Sequence, residues 1–554
     1  MGRTWRKRIS LVLSVLLLFC AASGTGEVEA EEQGCIAPGD EPAVTETPES
    51  ASGTDLCGVT VPADTGELSV SVTSMENVND TFVLMLLVGN KSDVGIVLHA
   101  EYAVLNGYTV DPVCRAEVAP GETAEVPLRV RQLSGKGVTD EIYSVEIGLR
   151  AFESGNHGRV FLEQGFKLYP LGEEGISLTE REIKSTDIVA VDNDEVTIVV
   201  TGFGEGKYSG FTAGVYLVNK TDRRQNYTVT GVSVNGCMAD PYWSCDLQPG
   251  TRRCSEIRWK DRLKENGTGR PEEIEMTFYV RDISDWSETY RGTVVLNPPA
   301  AGEPASAADP EPDGGTVLAD TGELYIKAVS MERQDDGFVL NLRIENRSDV
   351  SLVLKSGYAV LNGYCVDPVL WSEVTPGKKA NGRLRVSRLS EKGVTGEINS
   401  VEISLKAHES GRYDHVFLDQ SFSLYPLGWE NVPAVGRELK GTDIIVADND
   451  DITIVVTGFE ESSVFGYAAK VYLVNKTGRQ QSFGVRDALV DGCPADPFWA
   501  CNLPPGTRCY SSIDWFGAPK KDGAGKPESV SMTFEVNAVD SWDTTYSGTV
   551  VLTP

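Results

Sequence analysis

Four kinds of side chain in this sequence recur at spacings that could do chemistry: acidic pairs, cysteines, sequon asparagines and adjacent aromatics. Asp192 and Asp194 fall in D-N-D-E, and Asp448 and Asp450 in D-N-D-D. Carboxylates this close are the hard oxygen donors that calcium wants, about six to eight at once. The same position reads D-T-G-E at Asp64 and Asp320, however, and an Asp ahead of a strand also makes a turn by accepting backbone N–H groups. The turn accounts for all four copies, so no metal or cofactor is expected. Cys237 and Cys245 return as Cys493 and Cys501 at an offset of 256 residues. Tyr108 and Ala116, then Tyr364 and Ser372, stand at those places in the other two copies of the stretch. Residues that come and go together favour pairs Cys237–Cys245 and Cys493–Cys501, with a Cys245–Cys254 rung across Pro249-Gly250 as the rival. Cys254 is out of step with Ile257 and Trp259, whereas Cys509 is in step with Ile513 and Trp515. In regular strands the two would face opposite ways. Cys35 and Cys57 flank an N-terminal leader and could close it, while Cys114 and Cys365 have no counterparts. No histidine recurs beside the cysteines, so a catalytic thiol lacks its base.

Asn90, Asn219, Asn346 and Asn475 each begin N-[KR]-[ST], and Asn79, Asn226 and Asn266 are further N-glycosylation sequons. Asn at a strand end also tolerates left-handed backbone and closes its own turn. Tyr242-Trp243 and Phe498-Trp499 precede the second cysteine of each pair, and Trp286 and Trp542 follow an acidic turn. Exposed, such aromatics form a contact surface for a sugar or a protein; the other reading is core filling.

The element that must position these groups is a sixteen-residue stretch found four times, at Asn106 to Gly121, Asn235 to Gly250, Asn362 to Gly377 and Asp491 to Gly506. Each copy keeps [N/D]-G, a D-P and a closing P-G, and successive starts differ by 129, 127 and 129 residues. That is a domain period. Strand signals surround each copy; in the first they are Leu68 to Val72, Phe82 to Val88, Ile96 to Leu105, Ala116 to Val118, Ala124 to Val130, Val145 to Ala151 and Phe161 to Leu168. Alternation such as Val145, Ile147, Leu149, Ala151 is the period of a strand with one buried face. About seven short strands in about 110 residues predict a two-sheet antiparallel sandwich.

The 256-residue offset also carries Asp64 to Leu68 onto Asp320 to Leu324 and Trp286 onto Trp542, so the plan is two A–B pairs. Residues 1–30 read as a signal peptide, with Arg3, Arg6, Lys7 and Arg8 ahead of the apolar run Ile9 to Ala22. Phe19 before Cys20 is too bulky for a lipoprotein processing site. Residues 31–57 are a Pro/Glu/Thr-rich disordered leader, 58–172 repeat A1, 185–298 repeat B1, 299–313 a Pro/Ala-rich acidic linker, 314–428 repeat A2 and 442–554 repeat B2. A net charge of −31 excludes nucleic acid as the main partner. No second apolar run is long enough to span a membrane.

V-x-N-G-x-x-x-D-P, the P-G hairpin and a final T-V-V-L-x-P strand resemble the tandem immunoglobulin-like modules of secreted or surface bacterial proteins. The resemblance covers all four repeats. It implies an all-β chain of four immunoglobulin-like antiparallel β-sandwiches, secreted or held at the outer surface. No functional residue comes with it. The expected function is therefore non-enzymatic binding or adhesion to an extracellular protein or glycan, with a structural spacer or presentation stalk as the alternative.

Overall fold

The computed structural model describes residues 63–139, 141–172, 181–206, 208–299, 314–428, 436–462, 466–495, 497, 499–515 and 527–554. The signal peptide, the leader, Cys20, Cys35, Cys57, Phe498 and nearly all of the 299–313 linker lie outside them. The chain is nearly all strand and divides into two compact units, one ending at Asp309 and the other beginning at Pro310.

In the first unit the A1 repeat folds as two facing sheets. One joins Ala63–Asp64, Leu68–Val78, Thr81–Asn90 and Thr123–Arg131. The other centres on Ile96–Leu105, flanked by Val145–Glu153 and Asn156–Leu168 on one side and by Tyr108–Val110 and Arg115–Val118 on the other. All seven expected strands are present. Between the sheets lies a core that includes Leu68, Phe82, Leu84, Leu98, Ile147 and Leu149, the residues that alternation points inward. B1 repeats the plan, with Ile188–Asp192, Val196–Gly206, Gly210–Asn219 and Arg252–Arg258 facing Gln225–Val234, Ile274–Asp282 and Glu288–Leu296 around Trp259, Tyr227 and Phe278.

The sixteen-residue stretch supplies the strand that alternation alone does not mark. Asn106 and Gly107 take φ of 50° and 80°, the left-handed pair of a two-residue hairpin, and the chain returns as Tyr108–Val110 beside Ile96–Leu105. The free edge of Tyr108–Val110 pairs in parallel with Arg252–Arg258 of B1, Tyr108 opposite Arg252. The second A1 sheet and the first B1 sheet are thereby one continuous sheet. In the second unit Tyr364–Val366 pairs in parallel with Arg508–Trp515, Tyr364 opposite Arg508, and fuses the A2 and B2 sheets in the same way.

Fusion explains a difference between A and B repeats. Leu68 to Val72 alternates buried and half-buried, but Val196 to Val200 is buried at every position, as is Ile452 to Val456. In B1 one face of that strand points into the B1 core, whereas Val199, with Tyr216 of the next strand, belongs to the A1 core. A strand covered on both faces reads as a continuous apolar run.

Candidate functional site at the junction of the A and B repeats

The entry aspartates and the sequon asparagines are one device. Lys91 pairs with Asp64, Lys220 with Asp192 at 2.6 Å, Arg347 with Asp320 at 2.8 Å and Lys476 with Asp448 at 2.7 Å. Asp192 and Asp448 also accept the hydroxyls of Thr197 and Thr453. Asn193 Oδ1 accepts the N–H groups of Glu195 and Val196, and Asn449 does the same for Asp451 and Ile452. Asp194 and Asp450 sit exposed on those turns. Of the carboxylates offered as calcium ligands, Asp192 and Asp448 are thus engaged in an ion pair and a hydroxyl hydrogen bond, and among the described residues there is no group of three or more His, Cys, Asp or Glu placed to hold a metal ion. The sequon asparagines Asn90, Asn219, Asn346 and Asn475 are at most 2% exposed. Asn90 Nδ2 donates to Val94 and Val118 carbonyls while its Oδ1 accepts from Ser92, and the other three repeat this. An amide nitrogen so enclosed is closed to glycosylation in the folded chain.

The cysteines meet a different fate from the expected pairs. Cys237 lies opposite Val234 and Cys245 opposite Tyr227 on the same strand, Gln225–Val234. Seven residues of extended strand separate those partners, roughly 20 Å, and a disulfide needs Cα atoms within about 7 Å. Cys493 opposite Val490 and Cys501 opposite Phe483 repeat the separation. The rival rung fails as well: Cys245 belongs to the B1 core and Cys254 packs against the A1 core. The parity argument holds in both units, since Cys509 lies in the B2 core with Ile513 and Trp515.

The groups gathered at the fused edge are largely ones that the sequence does not single out. In the first unit a polar cleft of about 420 Å³ is lined by Tyr102, Thr109, Asp111, Arg224, Cys245 and Arg253, among others. Arg253 Nη2 donates to both oxygens of Asp111 at 2.7 Å, and Lys136 Nζ to Asp111 at 2.7 Å. Burial alone would raise the Asp111 carboxyl, but the Arg253 charge and the hydrogen bonds from Lys136 and Arg253 outweigh it, and it lies below the usual value. The hydroxyls of Thr109 and Thr251 share a buried 2.7 Å hydrogen bond across the junction, and the Gly107 carbonyl accepts the Arg252 N–H. Burial pushes the Cys245 thiol up to about 12, the reverse of an activated nucleophile.

On the other face of the fused strand stand Tyr108, Tyr216 and Cys254 in the first unit and Tyr364, Tyr472 and Tyr510 in the second. Tyr364 and Tyr510 stack with centroids 6.1 Å apart, and Tyr472 lies 5.1 Å from Tyr510. Arg181 and Arg437, from the segment that leads into each B repeat, lie 5.5 Å over Tyr216 and Tyr472. Each is held by a two-pronged pair, Arg181 with Asp187 at 2.8 and 2.9 Å and Arg437 with Asp443 at 2.6 and 2.7 Å. Gly393, at φ +84°, closes the tyrosine layer, and a Cβ there would stand 2.6 Å from Tyr510 and 2.8 Å from Tyr364. Gly393→Ala is expected to cost about 2 kcal/mol in urea denaturation, from crowding added to left-handed strain. Gly411→Ala, at φ +79° with open space around it, carries the strain alone and sets the control; equal losses would show that the junction is not tightly packed.

The aromatics divide. Trp243 and Trp499 turn inward, each edge-on to a core phenylalanine at 6.4 Å and donating Nε1–H to Ser255 or Ser511 at 3.0 Å. Tyr242 is 87% exposed, with the Arg262 guanidinium 4.7 Å from its ring. Trp286 and Trp542 are 56% and 58% exposed, and both hold φ of 60°.

No family model matches the chain, and no curated protein matches it. Among solved structures it is similar to a protein of unknown function from Porphyromonas gingivalis W83, with 13% identity over 42% of this chain and 100% of that one and a TM-score of 0.13. It is similar to Escherichia coli alpha-2-macroglobulin activated by porcine elastase, 8% identical over 89% of this chain and 45% of that one, TM-score 0.14. Red sea bream transglutaminase is 9% identical over 85% of this chain and 94% of that one, TM-score 0.13. The chain thus spans less than half the length of the macroglobulin, and such TM-scores fall well short of a shared fold. Among the described residues no helix is long and apolar enough to cross a membrane.

Proposed function

We propose that this is a secreted or surface-held, non-enzymatic binding protein made of four immunoglobulin-like sandwiches in two rigid A–B pairs. The B-repeat hairpin tips are its contact surface, and its ligand is an extracellular protein or glycan. The observation that carries this reading is the pair Trp286 and Trp542. A bulky side chain at positive φ is a costly conformation, and strain of that kind marks functional positions when the surroundings enforce it. In B1 the Trp286 N–H bonds the Asp282 carbonyl, the Asp282 N–H bonds the Ser287 carbonyl, and the Asp282 and Asp285 carboxylates accept from Ser284 and Ser287; in B2 the two backbone bonds recur, from Trp542 to Ala538 and from Ala538 to Asp543, without the carboxylate caps. The ring is held outward with Arg281 5.1 Å from its centroid, the makings of an aromatic anchor. Tyr242 supplies a second exposed ring on each reading of the B1 surface.

Non-enzymatic action rests on the junction chemistry of the first unit: Asp111 is paired with Arg253 and Lys136, and the Cys245 thiol is held protonated. The fused sheet favours a second reading, a stiff spacer that presents something else. Screening the purified chain against glycan and host-protein arrays separates the two. A ligand should lose at least about ten-fold in affinity in Trp286→Ala/Trp542→Ala, as anchor aromatics contribute about 2 kcal/mol or more, with the melting temperature unchanged. A ligand indifferent to both tryptophans sinks the proposed surface, and no ligand at micromolar concentration leaves the spacer.

A further inference from the structure

We propose that Cys501 and Cys509 are an oxidation site, a cross-sheet thiol pair at the seam between repeats A2 and B2 that closes to a disulfide when the chain meets a small-molecule disulfide. Their sulfurs are 3.3 Å apart. Cys501 lies on Ala500–Leu503, paired to Gln481–Val490 in one B2 sheet. Cys509 lies on Arg508–Trp515 in the other, opposite Leu473. The corner between them, Pro504-Pro505-Gly506-Thr507, is braced by the Thr507 hydroxyl on the Pro504 carbonyl at 2.8 Å. Both thiols are therefore delivered to one point by a short, tied turn.

The first unit shows what replaces this pair. At the 256-residue offset Cys245 matches Cys501, but Arg253 stands where Cys509 does. Arg253 reaches across to Asp111 of A1. In the second unit the matching Asp367 pairs with Lys392 at 2.6 Å instead. The guanidinium clamp is exchanged for an oxidisable thiol, and a third cysteine, Cys365, replaces Thr109 and packs against the same B2 core from the A2 side. Cys509 is buried, while Cys501 and Cys365 are both partly exposed, so within the Cys501–Cys509 pair exchange begins at Cys501.

The Cys501 thiolate attacks one sulfur of R–S–S–R and expels RS⁻, leaving a mixed disulfide. The Cys509 thiolate then attacks the Cys501 sulfur and expels the second RS⁻. The two cysteine protons end on the two leaving thiolates. Two electrons pass from the protein to the small disulfide, giving one protein disulfide and two R–SH.

The test is to incubate the full chain with oxidised glutathione, block the remaining thiols with N-ethylmaleimide and map tryptic peptides without reduction. Cleavage after Arg508 puts the two cysteines on separate peptides. The expected result is one linked pair through Cys501 and Cys509, released by dithiothreitol, with Cys365 and Cys493 blocked. Cys365→Ser should give the same link. Recovery of both Cys501 and Cys509 blocked, or of Cys501 joined to Cys365 or Cys493, overturns the proposal.

Discussion

Asn475→Ala is expected to destabilise the B2 repeat by about 4 kcal/mol. Its Nδ2 donates to the carbonyls of Arg479, Leu503 and Pro504 at 2.7 to 3.0 Å, and its Oδ1 accepts the N–H and hydroxyl of Thr477. The residue is fully buried. Each hydrogen bond contributes about 1 kcal/mol net, and each buried group left unsatisfied costs about 1–3 kcal/mol. Alanine removes five bonds at once. The same amide ties the end of the strand Gly466–Asn475 to the Pro504 corner that positions Cys501 and Cys509. Urea denaturation of the full chain, followed by B2 tryptophan fluorescence, checks this. A loss below about 1 kcal/mol would mean that the four-fold asparagine is a turn residue only.

Asp443→Asn is expected to cost about 3 kcal/mol, because it strands the Arg437 guanidinium, 9% exposed, against a partner site only 2% exposed. Breaking an enclosed ion pair from one side is costly, since the remaining charge has lost the carboxylate that neutralised it. Arg437 hydrogen bonding is the main reason the Asp443 carboxyl is held down to about 2 from 3.8, assisted by the Lys440 N–H and opposed by burial. The folded value lies below the unfolded one, so the stabilisation is complete above about pH 4 and is lost as pH falls from about 4 to about 2. The stability gap between wild type and Asp443→Asn should therefore close over that window. A gap that stays constant down to pH 2 would show that packing of Arg437 on Tyr472, and not the charge of Asp443, holds the segment.

These expectations locate the boundary of what could be read without coordinates. The entry Asp and the N-[KR]-[ST] motif are each recognisable as turn chemistry, but nothing in one announces that its lysine or arginine closes on the other, 27 or 28 residues away. The cysteine pairs failed for a related reason. Co-occurrence places Cys237 and Cys245 in one stretch, yet that stretch runs along a single strand, so closeness in sequence became separation along its length. Arg253 and Asp111 carry no signal in the sequence because each is an ordinary charge until the repeats meet. One signal was available: V-T-I-V-V at Val196 and I-T-I-V-V at Ile452 break the alternation that L-S-V-S-V keeps at Leu68, and a broken alternation means two covered faces.

The sixteen-residue stretch shows the division most clearly. The sequence alone determined its turns and the strands around it, because hairpin chemistry at N-G and P-G and the inward face of an alternating strand depend on neighbours a few residues away. The tertiary structure alone decided that Tyr108 and Tyr364 offer a free edge to Arg252 and Arg508, which thiols share a corner and which tryptophans face solvent. Those outcomes depend on which strands lie side by side, and about 144 residues of chain lie between Tyr108 and its partner.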